Sequence, residues 1–159
     1  MGCTVLCVVQ RMDVLQALLD AGAPLEAPAR NKTTALHCAV IQGQTQTVRY
    51  LLDKGSSVNA ETQDGETPLH LAAKGNFLSV AIMLLESGAN TDAKRQDGST
   101  VLHLCAINGN IDIAKQLITS GADRSLLNRN GVSAADLARQ YAHDEVRRCP
   151  LVRCVCQVL

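Results

Sequence analysis

Asp64-Gly65-Glu66-Thr67-Pro68-Leu69-His70-Leu71-Ala72-Ala73 encodes a turn, a helix start and one apolar helix face in immediate succession. Asp64-Gly65 reads as the turn, because glycine accepts the positive φ that tight turns need. Thr67-Pro68 reads as the helix start. The Thr hydroxyl can satisfy an open N–H group, and the fixed φ of Pro suits the first helical position. Leu69, Ala72 and Ala73 give the short helix its apolar face, and Gly75-Asn76 ends it with residue types that tolerate the left-handed conformation. A second helix follows with Val80, Ile82, Leu84 and Leu85 as apolar positions, and Gly88 terminates it.

The same pattern recurs on both sides. His37, His70 and His103 are spaced by 33 residues, as are the pairs Leu18-Leu19, Leu51-Leu52, Leu84-Leu85 and Leu117-Ile118. Gly22, Gly55, Gly88 and Gly121 follow those pairs in phase. Each unit is therefore turn, short helix, turn, slightly longer helix and an extended return. Neither helix is long enough to hold in water alone. Burial must come from stacking units, roughly three or more of them. Ala39, Ala72 and Cys105 occupy one place in the first helix, and their small size lets successive layers approach closely, as in a solenoid.

Thr67-Pro68-Leu69-His70-Leu71-Ala72-Ala73 resembles the signature of the ankyrin repeat family, and Thr34-Ala35-Leu36-His37 and Thr100-Val101-Leu102-His103 are close variants. Gly88-Ala89 and Gly121-Ala122 match the family's ending of the second helix, and the resemblance spans about residues 10–147. It implies an all-α solenoid of stacked helix-turn-helix units with short hairpin-like fingers, and a concave face used for protein recognition. It also implies that the repeated His hydrogen-bonds locally and ties neighbouring units together. The units fall at about 1–28, 29–61, 62–94 and 95–127, with a capping unit at 128–147 and a Cys-rich tail at 148–159.

Three places depart from the pattern. Lys32 stands where the turn glycine is expected, which predicts a finger of different shape. The first unit lacks a finger, and its leading helix has to come from Gly2–Val9, which carries no polar outer face of the kind terminal units need. That points to a piece of a longer array or a shortened product. Asn130–Ala138 reads as a decayed unit, followed by a charged closing helix at about His143–Arg148.

Composition sets the outer limits. In 159 residues, 47% are hydrophobic and 19% charged, a globular balance. Lys+Arg and Asp+Glu number 15 each, so no net field draws the chain to nucleic acid or to an anionic membrane. With one Phe, two Tyr and no Trp, the core has to be built from Leu, Ile, Val and Ala. No apolar run approaches the ~20 residues of a membrane span. Met1–Met12 is apolar but has neither a preceding basic region nor a small-residue cleavage site, which favours a cytoplasmic protein, with the nucleus also open to it. Seven cysteines, five of them crowded at the two ends, do not form a disulfide framework, and Cys38 and Cys105 inside the periodic body read as small buried hydrophobes.

Chemistry is sparse. Equivalent positions in stacked helices lie about 8–10 Å apart, whereas zinc holds imidazole nitrogens at ~2 Å, so the histidines form a column and not a metal cluster. No nucleophile elbow, phosphate-binding loop or zinc-protease motif is present, which predicts neither catalysis nor a cofactor. His143, Cys149, Cys154 and Cys156 match none of the usual zinc spacings. Cys156-Gln157-Val158-Leu159 does fit the loose prenylation pattern, with Cys154 as a second acylation point and Arg147, Arg148 and Arg153 nearby. Gly2-Cys3 suits dual acylation less well, because Leu6 takes the place of Ser or Thr.

Recognition must use what stacking leaves over, the finger tips and the exposed side of the first helix. These are Arg30, Asn31, Thr33, Ile41 and Gln42; Glu61, Gln63, Asp64, Glu66 and Lys74; and Lys94, Gln96, Asp97, Ser99, Ile107 and Asn108. Singly, most of these are ordinary solvated surface; together they line one face. The expectation is a monomeric adaptor or scaffold that binds another protein. An inhibitor masking an enzyme or transcription factor, and a membrane adaptor anchored at Cys156, are the alternatives.

Overall fold

The computed structural model describes residues 12–145. Eight α-helices run through them in chain order: α1 Met12–Asp20, α2 Ala35–Ile41, α3 Thr45–Asp53, α4 Pro68–Lys74, α5 Leu78–Glu86, α6 Val101–Asn108, α7 Ile111–Thr119 and α8 Ala134–Glu145. Among the described residues there is no sheet, only an isolated antiparallel bridge between Leu127 and Ser133. None of these helices is long and apolar enough to cross a membrane.

The helices form two layers. α2, α4, α6 and α8 stack on one another in order, and α3, α5 and α7 do the same behind them. One continuous core runs through the stack. Leu36, Leu69 and Leu102 recur at the period and are fully buried, as do Leu51, Leu84 and Leu117 on the second helices. The small residues Ala39, Ala72 and Cys105 are buried as well, at the place where the first helices approach. Burial pushes the Cys105 thiol up to about 12, so it is inert at neutral pH. The lone Phe77 takes up space left by glycine: a Cβ at Gly75 or Gly43 would collide with its ring.

One expectation changes at the C-terminal end of the array. The decayed unit does not break into two short helices, because α8 runs unbroken from Ala134 to Glu145. Its start keeps the repeat's logic with a substituted partner. Ser133 stands where Thr100 stood and Asp136 where His103 stood, and the Ser133 hydroxyl donates to the Asp136 carboxylate at 2.7 Å. The leading helix expected at Gly2–Val9, the segment from 146 to 148, and Cys149, Cys154 and Cys156 lie outside the described residues.

Candidate protein-binding surface

The surface is built on the histidine column. In each complete unit the backbone N–H of Thr34, Thr67 or Thr100 donates to Nδ1 of His37, His70 or His103 at 3.2 Å. The Thr hydroxyls lie 2.8–2.9 Å from the same nitrogens. An N–H can only donate, so Nδ1 is the acceptor and the ring proton sits on Nε2. That proton is given to the next finger: His37 Nε2 donates to the Glu66 carbonyl at 3.2 Å and His103 Nε2 to the Val132 carbonyl at 3.0 Å. For His70 the equivalent carbonyl is Ser99, which opposes the lowering of its pKa, although Nε2 closes no hydrogen bond of normal geometry. His37 and His103 thus join the start of their own helix to the base of the following finger.

The fingers are bonded tip to tip. Gln63 N–H donates to the Asn31 carbonyl at 2.7 Å, Gln96 N–H to Asp64 at 3.0 Å and Arg129 N–H to Asp97 at 3.0 Å. The Gln96 amide adds a side-chain bond to the Gln63 carbonyl at 2.7 Å. The later fingers share a turn closed by Gly65, Gly98 or Gly131 in the left-handed region, with the glycine N–H bonded to Thr62, Arg95 or Asn128. The first finger differs, as Lys32 predicts. Its turn is shifted by one residue: the Thr33 N–H bonds to the Arg30 carbonyl at 3.3 Å, and Asn31 and Lys32 are both left-handed at φ 61° and 57°.

Above this frame stand the side chains expected to meet a partner. Arg30, Asn31, Gln42, Glu61, Gln63, Asp64, Lys74, Lys94, Gln96, Asp97 and Asn108 are exposed, and Ile41 is exposed at 56%. Thr33, Glu66 and Ile107 are half-buried. Ser99 is a correction. At 5% exposure it is buried in the base of its finger, its N–H taken by the Asp97 carboxylate at 2.8 Å, so it offers a partner nothing.

Several of the charges are already engaged. Lys74 pairs with Glu66 at 2.9 Å, Glu66 with Arg95 at 3.5 Å, and Arg95 with Asp97 at 3.4 Å. Partial burial alone would raise the Asp97 carboxyl. The Ser99 N–H and the Arg95 guanidinium outweigh it and hold the group below its ordinary range. Arg95 escaped the sequence reading because only the fold places it between two carboxylates of different fingers.

A second inter-unit ladder also went unread. Glu26, Asn59 and Asp92 each accept the backbone N–H of a residue one unit on, Ser57 at 2.9 Å, Asn90 at 2.7 Å and Asp123 at 2.9 Å. The signal was there: these residues share the 33-residue phase and each carries a side-chain oxygen. Buried Asn110 likewise bonds back to the Ala73 carbonyl of the preceding unit. Among the described residues no three His, Cys, Asp or Glu side chains are gathered for a metal.

The family profile of ankyrin repeats (3 copies) matches residues 5–95 and 83–149. The chain belongs to the ankyrin-repeat family. No curated protein matches it. Ankyrin repeats are in general protein–protein interaction modules and typically not enzymes, and the hydrogen-bonded ladders above are how this ankyrin chain holds its units in line.

Proposed function

We propose that this ankyrin array is a cytoplasmic adaptor or scaffold, also able to act in the nucleus, that binds a partner protein as a monomer through its finger tips and the ends of its first helices. One observation carries the reading. The tips form a backbone-bonded ladder, from Asn31 to Gln63, Asp64 to Gln96 and Asp97 to Arg129, and exposed side chains beside them change from unit to unit: Pro28, Glu61, Lys94 and Leu127 stand at equivalent places. A pre-ordered surface loses little entropy on binding, and side chains that change from unit to unit give it an address.

The test is affinity capture with the full chain from its native cells, read by quantitative mass spectrometry. A variant combining Ile41→Ala, Gln63→Ala and Gln96→Ala should lose a set of proteins that the Arg49→Ala control on α3 retains. Equal recovery by the two variants would refute a surface at the tips.

A further inference from the structure

The first finger stands apart from the others in shape and in charge. A Cβ at Gly65 would lie 3.2 Å from the Gln96 nitrogen, and one at Gly98 2.8 Å from the Arg129 nitrogen. Lys32 has a Cβ at the equivalent place, so the ordinary finger would drive it against the next one. The chain instead turns one residue later, through two consecutive left-handed residues. Asn tolerates that region; for Lys it is strained, and such outliers concentrate at functional sites.

The shifted turn exposes Arg30 and Lys32, and among the described residues neither reaches a carboxylate within ion-pair distance. Beside this basic finger is Ile41, the most exposed large apolar residue described. In the following unit the equivalents of Thr33 and Ile41 are Glu66 and Lys74, whose charged ends meet at 2.9 Å, so Ile41 and the base of the basic finger occupy corresponding places on the same side of the array. The next finger reverses the sign: Glu61 and Asp64 are exposed and make no ion pair among the described residues. Beyond it, the chain Lys74–Glu66–Arg95–Asp97 neutralises itself.

We propose that the first two fingers and Ile41 dock an extended segment of the partner protein that carries acidic residues, an aliphatic residue and then basic residues. This rests on the protein-binding reading above. Arg30 and Lys32 take the carboxylates, Ile41 takes the aliphatic side chain, and Glu61 and Asp64 take the cations. Layers are about 8–10 Å apart and an extended chain rises about 3.3 Å per residue. The acidic and basic groups of the segment are therefore on the order of three residues apart. A nucleic acid or an anionic membrane is a poorer occupant, because its next negative charges would meet Glu61 and Asp64.

The probe is a display library of random short peptides, panned against the full chain, followed by fluorescence polarisation with the enriched consensus peptide. The expected consensus runs acidic, aliphatic, basic. Arg30→Glu with Lys32→Glu should weaken the peptide on the order of tenfold or more, while Arg49→Glu, on the second helix α3, leaves it unchanged. All three positions are exposed, so the melting temperature serves as a check that folding is intact. Peptides that compete at Gln63 and Gln96 but show no acidic residues would overturn this proposal and leave the protein-binding surface standing. Failure of any peptide to bind the tips would overturn both. Binding of an oligonucleotide or an anionic vesicle that the same double variant abolishes would replace the peptide with a polyanion.

Discussion

A buried histidine is a useful residue for a stack only while it is neutral. Protonating Nδ1 of His37, His70 or His103 would set a cationic N–H against the Thr N–H that now donates to it. Burial first of all lowers the pKa of all three, and takes His70 from 6.5 to about 4. The sign of the linkage follows. As pH falls through 6.5 the unfolded chain takes up protons that the folded chain refuses until well below, so stability falls with pH across that window. Above it these groups make stability independent of pH. For His70 alone the loss by the acid end is on the order of 3 kcal/mol. Urea denaturation at about pH 7.5 and about pH 5 should show a clear drop in midpoint at the lower value. Equal midpoints would mean that the rings are not held neutral.

At the scale of elements, each first-helix start from α2 onward is set by a pair of residues and each return segment between units by a single side chain. The four first-helix starts use one device with two chemistries, Thr with His in the complete units and Ser with Asp at α8. The returns between units are held by Glu26, Asn59 and Asp92, which share only a side-chain oxygen at the right place. That chemistry predicts which substitutions matter. Asp92→Ala should cost about 1 kcal/mol and speed hydrogen exchange at the Asp123 amide, while Asp92→Asn, with the acceptor that Asn59 already supplies, should restore protection. An Asp123 amide that exchanges at the wild-type rate in Asp92→Ala would show that the bond does not hold the return.

For the whole molecule, stability is a property of the stack. Leu36, Val40, Val48 and Leu51 of α2 and α3 are buried, and α4 and α5 pack directly against those helices. Ending the chain after Asn59 uncovers that face and also removes the Glu66 carbonyl that His37 bonds. The fragment 1–59 should be largely unfolded by circular dichroism and show no cooperative melt, whereas the full chain melts cooperatively. A cooperative transition in the fragment would refute nearest-neighbour stacking as the source of stability.

The 33-residue phase of His37, His70 and His103, and of the glycines and Leu pairs, determined by itself the fold class, the helix pairs and the burial of Ala39, Ala72 and Cys105. Each follows from local periodicity, since a short amphipathic helix repeated in phase has only its neighbours to bury against. The sequence also marked the first finger as different, because Lys32 breaks a glycine position. Other features were decided only in three dimensions. The ion chain from Lys74 to Asp97 crosses two fingers, Ser99 turned inward, and α8 continued through what looked like two helices. The way Lys32 is accommodated, by a turn one residue out of frame, depended on the clearance to the next finger. Periodicity fixes which residues face the stack, but distances between side chains of different units exist only once the layers have packed.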